Sequence, residues 1–160
     1  MNFELTEERQ MLQDGLRRYL SESVTHEGLA AATDSDAGHD AGLWAGLAEM
    51  GVIGALFSEE DGGFGGAGFD LSLVFEETGR AGLVEPLLDV GVLSGGLIAA
   101  LGNDTQRGLV EQIIGGVVQV AFAHGEPNSR YDLSRVETTA KAQGDGYVLN
   151  GRKAVVVGAP

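Results

Sequence analysis

Up to about residue 115 the apolar positions of this chain recur every three or four residues; beyond it they recur at every second one. Leu5, Leu12, Leu16, Tyr19 and Leu20, flanked by Met11, share one face and predict an amphipathic helix over 5–24. Thr6 is its N-cap, and Glu7 and Glu8 suit the positive end of the helix dipole. Residues 25–40 are small and polar and read as a loop or a frayed helix. Leu43, Leu47 and Met50 beside Trp44 predict a second helix over about 42–50. A turn at 52–57 leads into a glycine-rich loop, Ser58 to Gly68, and a third helix covers 70–81. The segment 85–101 reads as one helix with Pro86 at its first position. Leu87, Leu88, Val90, Val92, Leu93, Leu97, Ile98 and Leu101 make it apolar almost all round, which predicts burial inside a bundle. Gly91, Gly95 and Gly96 would let neighbours approach it closely. Gly102 ends it, and a short helix follows from Asp104 to Gly115, capped by Asn103 or Asp104.

From Gly116 the period is two. Val118, Val120, Phe122 and His124 alternate with Gln119, Ala121 and Ala123, and Val136, Thr138 and Ala140 with Glu137, Thr139 and Lys141. Gly144-Asp145-Gly146 is a turn, Tyr147–Leu149 a strand, Asn150-Gly151 a hairpin turn and Lys153–Val157 a strand. Helices first and strands afterwards argue an α+β fold: an all-α N-terminal domain over 1–115, then the start of a β-domain over 116–160.

Composition narrows the function. A net charge of −14 argues against nucleic acid or an anionic membrane as partner. With no cysteine, thiolate metal sites, thiol catalysis and disulfides are excluded. Met1-Asn2-Phe3-Glu4 carries no basic-then-apolar leader signal and no apolar run is long enough to span a bilayer, so a cytoplasmic location is expected.

Gly63-Phe64-Gly65-Gly66-Ala67-Gly68 matches G-x-G-x-x-G, but it follows acidic Glu59-Glu60-Asp61 rather than a buried strand, so it reads as a structural loop. His26 and His39 lie in polar segments and read as solvated; none of the three histidines has metal-ligand spacing. His124 either faces a pocket or serves a turn. Asp89, the one charge in an apolar helix, either points into a ligand pocket or is held by the helix dipole in the first turn. Arg130 either clamps a phosphate with its planar fork or is a surface arginine.

Five segments, in order, resemble the acyl-CoA dehydrogenase family. Ala121 to Asp132 resembles the flavin-binding strand and loop, where the family shows Thr-Glu-Pro, small residues and Gly-Ser-Asp. Gly146-Tyr147-Val148-Leu149-Asn150-Gly151-Arg152-Lys153 resembles its G-Y-x-L-N-G-x-K segment. Leu5-Thr6-Glu7-Glu8-Arg9, Ser58 to Gly63 and Gly102 to Gln112 resemble its opening helix, its P-E-x-x-G-G loop and its G-(S/N)-x-x-Q segment.

The resemblance implies a helical domain followed by a β-barrel-like middle domain, bound FAD, an acyl-CoA substrate and an electron-transferring flavoprotein as acceptor. It implies a homo- or hetero-oligomer with another subunit of the family, and a catalytic base beyond residue 160. By the same resemblance Phe122, His124 and Gly125 pass along the flavin, and Arg130 and Tyr131 lie near its pyrophosphate and the CoA end. Val155 and Val157 lie beside the ring, and Asp89 near the acyl pocket. Gly125, Arg130-Tyr131, Val155 and Val157 depart from the family's threonine, Gly-Ser, aromatic and threonine. Phe122 to Leu133 is most similar to small subunits of pimeloyl-CoA dehydrogenase-like enzymes. The implied activity is α,β-dehydrogenation of an acyl-CoA. The alternatives are a non-catalytic subunit completing a partner's flavin site, and flavin monooxygenase or nitroalkane-oxidase chemistry on the same fold.

Overall fold

The computed structural model describes residues 4–66 and 68–159. The leader reading at Met1 to Phe3 and the Ala67 position of the glycine-rich motif fall outside the described residues. Helices occupy the first part of the chain and one short sheet the last. Helix α1 (Glu7–Ser23) starts where the Thr6 hydroxyl accepts from the Arg9 N–H, and it buries Leu16 and Leu20.

Residues 25–40 are not all loop, because α2 spans His26–Asp34. It has no apolar stripe for periodicity to detect. It forms because Ala30, Ala31 and Ala32 favour helix and the Thr25 hydroxyl accepts from the Gly28 N–H at 3.0 Å. Helix α3 (Ala41–Glu49) follows, with the Asp40 carboxylate accepting from Gly42 and Leu43. It buries Trp44 and Leu47 against Val52, Ile53 and Phe57 of the turns beyond it.

Helix α4 (Gly68–Ala81) packs along α1. Two arginine–carboxylate forks join them: Arg9 to Asp70 at 2.6 and 3.1 Å, and Arg17 to Glu77 at 2.6 and 2.9 Å. Both carboxylates are buried.

The segment expected as one buried helix over 85–101 departs from that expectation twice. Leu88–Gly95 is π-helical, with the Gly96 N–H reaching back five residues to the Gly91 carbonyl, and α5 covers only Gly96–Leu101. Gly91 lies against the Leu56 side chain and Gly95 against Phe57, so a widened turn of small residues seats two large ones. Burial is also one-sided. Val90 is buried, whereas Leu88, Leu93, Leu97 and Leu101 are 39–78% exposed. An apolar circumference buries only the arc that meets a neighbour, and the other arc is covered only in part.

Helix α6 (Asp104–Ile114) opens with a reciprocal capping box, Asn103 and Gln106 each accepting the other's backbone N–H at 2.9 Å. Beyond it, β1 (Thr139–Gln143) and β2 (Gly146–Asn150) pair antiparallel, joined at Gly144, whose φ is +60°. The strands expected over 118–124 and 153–157 do not form a ladder. A single backbone bond joins them, Ala154 N–H to Gly125 O at 2.9 Å. Nor is Asn150-Gly151 a hairpin turn, since Asn150 is the last β2 residue and pairs with Thr139. Alternation reports which residues share a face, not which edge they pair with, and both faces of the β1–β2 hairpin are exposed. No helix among the described residues is long and apolar enough to cross a membrane.

Candidate functional site

Four successive N–H groups of the glycine-rich loop are already committed within the chain. The N–H groups of Gly63, Phe64, Gly65 and Gly66 go to the carbonyls of Ser58, Gly54, Phe57 and Ala55. A Cβ at Gly63 or Gly65 would strike backbone of the 54–57 turn, so these glycines serve a tight chain crossing.

The segment matching the flavin strand is held by Glu126, a residue periodicity did not single out. Its carboxylate accepts from the Glu137 N–H at 2.6 Å, the Thr138 N–H at 3.0 Å and the Lys153 ammonium at 2.8 Å. It thereby ties residues 137 and 138, before β1, to residue 153, after β2. Lys153 also donates to the His124 carbonyl at 3.2 Å. The Ser129 hydroxyl accepts from the Glu126 N–H and donates to the Glu126 carbonyl, closing the turn beneath. The signal available in the sequence was a glutamate before Pro127 with a serine three residues on.

The Lys153 ammonium above all, with the Glu137 and Thr138 N–H donors, holds the Glu126 carboxyl at about 2, down from the ordinary 4.5. A depressed carboxyl contributes stability that is fully present above pH 4.5 and lost as pH falls towards 2. The hairpin is therefore expected to loosen in that acid window. Amide exchange at residues 137–153, measured against pH, should show this, and Glu126→Gln should remove the pH dependence. An unchanged acid profile in Glu126→Gln would remove Glu126 as the cause.

Around this clamp the residues singled out earlier take definite positions. The Phe122 and His124 rings lie 5.3 Å apart, tilted by 38°, with Phe122 41% exposed. Gly125 stands where a Cβ would lie 2.9 Å from the Ala154 carbonyl oxygen, which accounts for glycine in place of threonine. Arg130 and Tyr131 are both exposed, and Arg130 has a φ of +50°. With Pro127 and Arg135 they line an open hollow of about 580 Å³. Val155 is 91% exposed at a φ of +54°, a strained conformation for a β-branched residue.

A second cavity, of about 450 Å³, lies between α4, residues 83–89 and residues 157–159. It brings Asp89 and Val157 together, far apart in sequence. Gly158, at a φ of +74°, passes so close that a Cβ there would lie 3.1 Å from that of Asp89. Phe75, Leu83 and Leu87 supply apolar wall, and Glu85 a buried carboxylate. His39 lines it too and is not merely solvated. Its Nδ1 lies 3.0 Å from the Ala37 carbonyl, which only accepts, so Nδ1 carries the proton. Its Nε2 then accepts from the Gln119 amide at 3.1 Å. The sequence reads His39 as solvated and gives Glu85 no signal, because nothing local marks a wall shared by α4 and three loops. The structure does not bring Asp89 to the Arg130–Tyr131 hollow; the two line separate cavities.

A family model described as the acyl-CoA dehydrogenase N-terminal domain matches residues 6–112. The acyl-CoA dehydrogenase FadE12 of Mycobacterium tuberculosis is 31% identical over 155 residues, covering 96% of this chain and 39% of that protein. Among solved structures, a variant of the Tcur3481–Tcur3483 steroid ACAD superposes with a TM-score of 0.82 at 33% identity, over 94% of this chain and 41% of that one. The ChsE4–ChsE5 complex from Mycobacterium tuberculosis superposes with a TM-score of 0.77 at 27% identity, over 96% and 39%. The chain spans about two-fifths of the length of the curated relatives it matches.

Proposed function

We infer, from the premise that the chain belongs to the acyl-CoA dehydrogenase family, that it is the N-terminal portion of an FAD-dependent enzyme dehydrogenating an acyl-CoA between its α- and β-carbons. One structural observation carries the reading. The half-open cavity that joins Asp89 to Val157 has an apolar wall of Phe75, Leu83 and Leu87 and room for an acyl group. The division into a helical domain over 1–115 and a β-domain beginning at 116 belongs to the same reading.

The residues present suit a flavin. Phe122 offers an exposed ring and His124 a half-buried one beside a backbone edge that carries no ladder. Arg130 offers an exposed guanidinium, whose fork matches phosphate oxygens. In this reading Phe122, His124, Gly125, Val155 and Val157 hold the ring portion, and Arg130 and Tyr131 the phosphate end. FAD, when bound, supplies the hydride acceptor. The chain's own contribution is positional. Glu126 and Lys153 fix 124–126 against 153–155, and the cavity wall excludes water from the acyl chain. A cytoplasmic location and an electron-transferring flavoprotein as acceptor complete the reading.

The test is the full-length protein purified alone. Stoichiometric flavin, bleached anaerobically by an acyl-CoA, is the expected result. Flavin that no acyl-CoA in a short-to-long series reduces overturns it. A second reading, a subunit that completes a flavin site on a partner, is favoured by exposed Arg130-Tyr131 and strained Val155, where the family's pattern is altered. The chain's likeness to a protein solved as the ChsE4–ChsE5 complex points the same way. Flavin retained only on co-expression with another subunit of the family selects it.

A further inference from the structure

The strand expected over 153–157 stops after one ladder bond, and the chain turns away at Val155. Ala154 donates to the Gly125 carbonyl at 2.9 Å. Lys153, just before it, is anchored on Glu126 and on the His124 carbonyl. Val155 then takes a φ of +54°. A left-handed φ is unfavourable for a β-branched residue and persists only where the surroundings impose it. The Val155 side chain is 91% exposed, so its own packing does not impose it.

The residues beyond it do. Val157, Gly158 and Ala159 line the cavity between α4 and residues 83–89. Gly158 lies against Asp89 and Pro86 at a φ of +74°, which glycine adopts at little cost. The facing segment is kinked as well, because the His124 N–H is spent on the Phe122 carbonyl at 3.0 Å, two residues back. Yet both segments, 118–124 and 153–157, alternate as paired strands do.

We propose that residues 155–159 are a strap with two seats, displaced from one to the other by a ligand in the cavity. In the seat described here the strap lies on the cavity wall and Val155 is strained. In the other, Val155 relaxes to an extended conformation and 155–157 continue the ladder along 122–124. Val155 is the hinge, since Lys153 and Ala154 are held in both. The displacing ligand is an acyl chain, which competes with Val157, Gly158 and Ala159 for the wall of Phe75, Leu83 and Leu87. That identity rests on the acyl-CoA reading above. A ligand shifts such an equilibrium only by binding one state better, and here it fits the state in which the strap has left. Filling the cavity thereby brings Val155 and Val157 to the backbone edge at Phe122 and His124, so acyl group and flavin edge communicate through one segment.

The test is amide exchange of the full-length protein, read over residues 120–126 and 154–159. Residues 122–124 do not line the cavity, so slowing there reports the ladder and not direct cover by a ligand. In Gly158→Val, without ligand, a branched side chain at φ +74° with its Cβ 3.1 Å from that of Asp89 removes the cavity seat. Exchange over both segments should slow by about tenfold or more. Gly158→Ala should slow it by a smaller factor, and Val155→Gly, which relieves the strained seat, should not slow it. Wild type saturated with acyl-CoAs of a short-to-long series should slow as Gly158→Val does. Exchange that is unchanged or faster in Gly158 variants with wild-type melting curves overturns the strap. So does an acyl-CoA that binds, by calorimetry, without slowing exchange at 122–124. If no acyl-CoA binds while Gly158→Val slows exchange, the acyl-CoA reading falls and the two seats stand.

Discussion

Trp44→Ala should lower the stability of the helical bundle by about 3–5 kcal/mol, the largest effect expected of any single substitution considered for this chain. Trp44 is 3% exposed and belongs to the same core as Leu16, Leu47, Ile53 and Val110. Its indole N–H donates to the Gly116 carbonyl at 3.0 Å, and its ring meets the edge of His39 at 6.5 Å. Removing it leaves a cavity, orphans the carbonyl at the residue where the chain leaves the helices, and releases His39, which lines the cavity beside Asp89. Trp44→Phe keeps most of the packing and loses the hydrogen bond, so about 1–2 kcal/mol is expected. Trp44 is the one tryptophan in the sequence, so unfolding should be followed by circular dichroism in urea. A Trp44→Ala loss no larger than that of Trp44→Phe would show that packing is not what this side chain contributes.

Arg17→Met should cost about 2–3 kcal/mol at neutral pH, because it strands a buried carboxylate. Glu77 is 1% exposed, and the Arg17 fork holds its carboxyl below the ordinary range, with Arg80 assisting at 3.7 Å. That is less than breaking a fully buried pair costs, because Arg17 itself is 49% exposed and shares its charge with water, and Arg80 stays beside Glu77. The sign follows from the direction of the shift. A lowered carboxyl contributes stability above pH 4.5 and loses it as pH falls, so wild type and Arg17→Met should converge in acid. Arg17→Met combined with Glu77→Leu should recover much of the loss, since it removes the stranded charge and fills the space. A double variant as unstable as Arg17→Met alone would show that the loss comes from Arg17's packing rather than from the stranded carboxylate.

The helical elements were legible wherever a cap or a stripe was local. Thr6 and Asn103 each cap the helix they precede. Over α2 the sequence leaves a loop and a frayed helix both open, because its residues are small and leave no apolar period to read. The segment 85–101 misled for the opposite reason. Leucine on every side says that burial is available, not which arc receives it, and the π-helical widening came from Leu56 and Phe57 pressing on Gly91 and Gly95. Of the site residues, Asp89 and Val157 drew attention separately, through an odd charge and a motif position. That they line one cavity is a property of the chain path past Gly158. Glu126 was overlooked because a glutamate's significance lies in its partners, and here these are eleven, twelve and twenty-seven residues away.

The sequence by itself determined the order of helices and strands, the family and the caps, because these rest on spacing within a few residues. Tertiary structure decided which leucines are buried, which alternating segments pair, and which charges meet. Each of those depends on a surface supplied from elsewhere in the chain. The unpaired oxygen of Glu85 is the clearest instance: its acidity is written in the sequence, but its burial without a donor follows only from the tertiary packing around it.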